Sequence, residues 1–147
     1  MARQARILLV DDRAENLFAL EAILAPLNQI IVPVRSGREA LEALLDDEYA
    51  VVLLDIVMPG MDGFETMRMV RQQHPLLPIV VISGRPFSTE PGAAPDFLTM
   101  ATKLGAVSSL QKPFKPADLL ASVNRCLEAV ARSQSSSQST DGVASHR

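Results

Sequence analysis

Cysteine and histidine are scarce in this chain of 147 residues, with one Cys and two His. Cys126 alone permits no internal disulfide and suits a reducing compartment. His74 and His146 lie far apart, so no histidine-rich metal cluster is drawn from them. No apolar run approaches the roughly eighteen residues that a membrane-spanning helix requires, so membrane insertion is not expected. The net charge of −3 leaves no basic footprint, which argues against direct nucleic-acid binding. Met1 to Arg6 carries two arginines and leads straight into an apolar run, so no secretory signal is expected. No glycine-rich fingerprint follows that first run, which removes a dinucleotide-binding fold.

What is present is a globular core. Hydrophobic residues make up 48% of the chain, enough for one domain and too little length for two. Short apolar runs alternate with helical patterns. Arg6 to Val10 reads as a strand ending at Asp11-Asp12. Leu17, Leu20, Leu24 and Leu27 then recur at helical spacing, with Pro26 closing the helix. Ile30 to Val34 is the next strand, and Pro33 inside it predicts a sheet edge, because proline cannot donate on both sides. Ser36 and Glu39 form a capping box that opens a helix to about Asp47, with Leu41, Leu44 and Leu45 as its inner stripe.

The pattern repeats further along. Ala50 to Leu54 is apolar throughout, as expected of a strand buried on both faces, and ends at Asp55. Phe64 to about His74 predicts a helix with Met67 and Val70 inward, and Pro78 to Ser83 a fourth strand. Gly84 to Pro95 holds three prolines and two glycines and reads as a long loop before a short helix from Asp96 to about Leu104. Val107 to Leu110 is a fifth strand. Pro116 opens a last helix with Leu119, Leu120, Val123, Leu127 and Val130 on one face. The expected domain spans 1–132, and the Ser/Gln-rich segment 133–147 is expected to be a disordered tail or a linker.

Alternating strands and helices imply an α/β fold with a parallel sheet covered on both faces. Right-handed crossovers and the edge proline favour a doubly wound, flavodoxin-like (βα)5 sheet in the order 2-1-3-4-5. In that order Asp11 and Asp12 end one strand and Asp55 ends its neighbour. Three carboxylates then meet where such sheets bind ligands, and hard divalent cations such as Mg²⁺ take oxygen donors of this kind. Ser83 and Lys112 lie across the same edge. An acid nucleophile, a metal site, a hydroxyl and a cation are the components of phosphoryl transfer.

The motifs Leu9-Val10-Asp11-Asp12, Leu54-Asp55 with Met58-Pro59-Gly60-Met61-Asp62-Gly63, Ser83-Gly84, Gly105-Ala106 and Lys112-Pro113-Phe114 occur in order, each at a strand end. Over about residues 5–131 the chain resembles the receiver domain of two-component response regulators. The resemblance implies Asp55 as phosphoacceptor from a sensor histidine kinase or phosphotransfer protein. It further implies Mg²⁺ or Mn²⁺ bound by Asp12, Asp55 and the Val57 carbonyl, with Asp11 contributing directly or through water. Lys112 would pair with the phosphoryl oxygens across a cis Lys112-Pro113 bond, and Ser83 would hydrogen-bond the phosphoryl group. A cytoplasmic bacterial setting, a downstream effector protein or domain, and self-catalysed rather than substrate-directed chemistry belong to the same picture, which also allows a homodimer.

Two departures stand out. Ser109 occupies the position, three before the lysine, where the family carries Tyr or Phe, with Phe87 or Phe97 as substitutes. The loop from Gly84 to Pro95 is longer than usual and stiffened by Pro86, Pro91 and Pro95. The expectation is intact phosphotransfer chemistry with a non-standard output surface, against the alternative of a degenerate receiver acting as a phosphorylation-independent interaction module. By the same resemblance Val57 and Arg85 would flank the phosphoryl site and influence the lifetime of the phosphoryl group. Val57 also removes a phosphatase of the haloacid dehalogenase type, which carries a second Asp two positions after its nucleophile.

Overall fold

Each apolar run of five or so residues buries itself as a strand between two layers of helix. The structure, a computed structural model, describes residues 4–55, 63–83, 108–111 and 114–145, with side chains left aside at 83, 111 and 133–145. Strands β1 (Arg6–Val10), β2 (Ile30–Val34), β3 (Val51–Asp55), β4 (Ile79–Ser83) and β5 (Ser108–Gln111) form one sheet in the order β2-β1-β3-β4-β5. Every neighbouring pair is parallel. The order is the expected one, and Pro33 lies on the edge strand.

Among the described residues the helices are α1 (Ala14–Leu24), α2 (Gly37–Asp46), α3 (Gly63–Gln73) and α4 (Pro116–Ser145). A 3-10 turn over Ala25–Leu27 continues α1 and ends at Asn28 in the left-handed region. The helix expected from Asp96 to Leu104 and the Gly84–Pro95 loop lie outside the described residues.

The period of two along each strand sorts the core into two halves. Leu8, Val10, Val52, Leu54, Ile79 and Val81 pack with Ala40 and Leu44 of α2 and with Met67 and Val70 of α3. Ile7, Leu9, Val51, Leu53, Val80 and Ile82 pack with Leu17, Leu20 and Leu24 of α1 and with Leu119, Val123 and Cys126 of α4. Burying one such side chain contributes about 1.5–3 kcal/mol, so the central strands are held from both sides. Cys126 joins this core, and burial pushes its thiol pKa up, countered in part by Arg125.

Two local readings change. The inner stripe of α2 is Gly37, Ala40 and Leu44, with Leu41 packed only at its margin. Leu45, expected inward, is 75% exposed. One residue past Leu44 is a 100° turn around the axis, so the two leucines cannot share one narrow face. The small Ala40 lets the helix approach the sheet where the larger leucines were expected to mediate contact. The capping box is also shifted. Ser36 Oγ accepts from the Glu39 amide at 3.1 Å as expected, but Glu39 Oε2 accepts from the amide of Arg35 at 2.7 Å. The backbone of α4 continues as helix through Ser145.

The return from α3 to β4 is tied by one side chain. Arg71 Nη1 donates to the carbonyls of His74, Pro75 and Leu77 at 3.2, 2.7 and 2.8 Å. Carbonyls at the end of a helix have no helical partner, and a cation there also complements the helix dipole.

The two adjacent leucines of α2 make a direct test of this packing. Leu44→Ala is expected to lower the unfolding free energy by about 2–3 kcal/mol, whereas Leu45→Ala stays within about 0.5 kcal/mol of the parent. Urea unfolding followed by circular dichroism measures both.

Candidate functional site

Strand register alone brings the acids together. Val10 of β1 pairs with Leu54 of β3, so Asp11 and Asp55, each the next residue, end side by side at the carboxyl edge. Asp11 extends the β1–β2 ladder by one rung, its amide donating to the Val34 carbonyl at 3.2 Å. One carboxylate oxygen from each of Asp11, Asp12 and Asp55 lies within 4.8 Å of the others. Asp11 and Asp55 are only 1% and 8% exposed, and Asp12 is half-buried.

The turn between β1 and α1 is built around the first of these acids. Asp11 Oδ1 accepts from the Arg13 amide at 3.0 Å and from Asn16 Nδ2 at 3.3 Å. The short bond from a carboxylate to the amide two residues on is an Asx turn, which bends the chain sharply. That bend carries Asp12 around toward the cluster and starts α1 at Ala14 without a side-chain cap on Arg13. From the other side, Arg35 Nη2 donates to the Asp12 carbonyl at 3.0 Å.

Ionised carboxylates at such separations repel one another by an amount of order a few kcal/mol per pair in a partly buried setting. Aspartate is also among the residues that are rarely buried without compensation. Three clustered oxygen donors with two buried carriers suit a hard divalent cation, which accepts one or two carboxylates and keeps water in its remaining positions. The donor set therefore fits Mg²⁺ or Mn²⁺.

Of the remaining predicted site residues, Ser83 is the last residue of β4. Asp55 pairs with Ile82, so Ser83 sits one step further along the neighbouring strand. Ser83 in turn pairs with Gln111 of β5, the residue before Lys112. Lys112, Val57, Arg85, Phe87 and Phe97 lie outside the described residues, as does the Lys112-Pro113 bond. Ser109, in the middle of β5, pairs with Val81, and Ser108 Oγ lies 3.1 Å from Ser122 Oγ of α4.

Two contributors are absent from the sequence reading, Asn16 and Arg35. Asn16 carried a usable signal: five residues past Asp11, it falls in the first turn of the helix that the acid pair introduces. Arg35 carried none, because its acceptor is a backbone carbonyl 23 residues away.

Comparison with known proteins agrees with the geometry. The response regulator receiver domain family matches residues 7–124. The chain is 33% identical over 118 residues to the DNA-binding transcriptional regulator NtrC of Escherichia coli K12, covering 80% of this chain and 24% of that protein. It is 33% identical over 122 residues to the transcriptional regulatory protein CpxR of the same strain, covering 83% of this chain and 49% of that protein. Thus it spans less than half the length of either regulator. Among solved structures, chemotaxis protein CheY4 of Vibrio cholerae superposes with a TM-score of 0.73 at 28% identity, covering 84% of this chain and 99% of that one. The signal receiver domain of an HD domain-containing protein from Pseudomonas fluorescens Pf-5 gives 0.76 at 28% identity, with 86% and 97% covered. No helix among the described residues is long and apolar enough to cross a membrane.

The crowding of charge yields a measurable consequence. Asp12→Asn removes one of three mutually repelling carboxylates, so in EDTA it is expected to raise the thermal midpoint by about 2–4 °C, roughly 1 kcal/mol. Added Mg²⁺ should raise the midpoint of the parent and leave that of Asp12→Asn nearly unmoved. Differential scanning fluorimetry with an external dye reads both shifts.

Proposed function

The chain belongs to the response regulator receiver domain family of two-component systems, and we propose that it accepts a phosphoryl group on Asp55 from the phosphohistidine of a sensor histidine kinase or phosphotransfer protein. The observation that carries this reading is the convergence of Asp11, Asp12 and Asp55 at one sheet edge, with Asp55 ending the central, doubly buried strand. In the reaction an Asp55 carboxylate oxygen attacks phosphorus. The P–N bond of the donor breaks, its electron pair returns to the imidazole ring, and an acyl phosphate forms. Water attack at phosphorus later releases phosphate and restores the carboxylate.

Asp12, Asp55 and the Val57 carbonyl, with Asp11 directly or through water, would hold Mg²⁺ or Mn²⁺, which would supply neutralisation of the oxygen charges during transfer. Asp11 keeps the β1–α1 turn bent through its bonds to Arg13 and Asn16. Lys112 pairs with the phosphoryl oxygens, and Ser83 donates a hydrogen bond to them. The register supports these two roles, since β4 and β5 place residues 83 and 111 side by side next to Asp55.

An acyl phosphate carries close to two negative charges in place of the carboxylate's one and adds strong acceptor oxygens, enough to bias a two-state element. Transmission differs here from an aromatic-based switch, because β5 carries Ser109 in its middle. The receiver comprises residues 1–132, and 133–147, continuous with α4 as far as Ser145, act as a linker toward a downstream effector protein or domain. NtrC and CpxR are transcriptional regulators by name. In this reading any DNA contact belongs to such an effector and not to the receiver, which works in the bacterial cytoplasm with a kinase partner.

Incubation with acetyl phosphate and Mg²⁺ followed by intact-mass measurement is the direct test. One adduct of about 80 Da, the mass of a phosphoryl group, is expected on the parent and none on Asp55→Asn. An unmodified parent would favour a phosphorylation-independent interaction module, a reading that Ser109 motivates, and an adduct that survives Asp55→Asn would overturn Asp55 as the acceptor.

A further inference from the structure

Arg35 stands one residue beyond β2, on neither of the strands that carry the acids. Its side chain nevertheless reaches across to the β1–α1 turn, where Nη2 donates to the Asp12 carbonyl at 3.0 Å. Its backbone is fixed as well. The Arg35 amide donates to Glu39 Oε2 at 2.7 Å, and Ser36 Oγ accepts from the Glu39 amide at 3.1 Å, so the start of α2 anchors the residue. The other restraints on the turn come from within it and from β2. Val34 holds the Asp11 amide, and Asp11 Oδ1 holds Arg13 and Asn16. The Arg35 bond holds the carbonyl end of the Asp12–Arg13 peptide, whose amide end is held by Asp11 Oδ1, and so fixes that peptide from both sides next to the least buried of the three acids.

We infer that Arg35 is a positioning residue for the divalent-cation site, holding the Asp12 peptide so that its carboxylate stays turned toward Asp55. The inference rests on the reading of the acid cluster as a cation site. A residue that orients a ligand from behind commonly changes metal affinity by about tenfold or more, although an exposed bond such as this one belongs at the low end.

Charge and positioning predict opposite results, which makes the role testable. A guanidinium near the cluster is a like charge to Mg²⁺, so as a charge alone it weakens binding, and its removal tightens binding. As a tether it strengthens binding, and its removal loosens it. Arg35→Met keeps the bulk of the chain and deletes the donor. The residue is exposed, so the variant retains its fold, which circular dichroism and the thermal midpoint verify.

Titration calorimetry with Mg²⁺ alone is expected to show binding weakened about threefold to tenfold in Arg35→Met. Arg38→Met, which removes a neighbouring exposed charge, should leave affinity unchanged or slightly tighter. The Mg²⁺ concentration that half-saturates phosphoryl uptake from acetyl phosphate should rise in Arg35→Met by the same factor. Affinity in Arg35→Met equal to or tighter than the parent's overturns the positioning role and leaves the cation site standing. A parent protein that takes up no Mg²⁺ overturns the cation reading itself, and this inference with it.

Discussion

Like charges prevented from separating govern the carboxyl edge of this molecule. A pair of carboxylates on a mobile surface would relieve their repulsion by moving apart. Here Asp11 and Asp55 follow a fixed rung, Val10 against Leu54, in a sheet packed on both faces. Interiors of this kind are close-packed and transmit strain instead of absorbing it. The fold therefore holds the acids close together, and a hard divalent cation shared among them suits that spacing. That fixed spacing is what lets a single ionic event at the edge act on all three acids at once.

The remainder of the fold divides its labour around that edge. The two core halves fix where the strands end, and the β1–α1 turn then decides where the acids point. Asp11 serves both sides of this division, since it closes the ladder to Val34 and also bends the chain through Arg13 and Asn16. The start of α2, distant in sequence, joins through Arg35. Glu39 belongs to the same chain of contacts, although its sequence signature is that of an ordinary helix cap. A cap that holds the residue before Ser36 instead of Ser36 itself turns a local stop signal into part of a long-range brace.

Much of this architecture was legible in the sequence because each strand is a short apolar run ending in punctuation. Pro33 marked the edge, and the edge together with crossover handedness gave the strand order, which placed Asp55 beside Asp11 before any coordinates. The face of α2 was not legible. Leu41, Leu44 and Leu45 outweigh Ala40 in hydrophobicity, yet the rotation of the helix is set by how closely it approaches the sheet, and Gly37 and Ala40 permit that approach. Arg35 was hidden for a different reason, since a carbonyl acceptor has no residue type. The roles of Lys112, Ser83 and Val57 came from family resemblance and were not readable from burial or periodicity.

The edge strand has a consequence for how copies of this protein meet. In a parallel strand the amide and carbonyl of alternate residues face the same side. Ile30 and Val34 face β1, as the bonds from the Ile30 amide to Ala5 and from Asp11 to the Val34 carbonyl show. Positions 31, 33 and 35 then face outward. Pro33 has no amide hydrogen to offer, and the amide of Arg35 is held by Glu39. Of three outward rungs only that of Ile31 keeps a donor. Strand addition needs a run of such donors, so the sheet is closed to growth on its β2 side, and edge-to-edge aggregation is blocked there by a proline and a helix cap acting together.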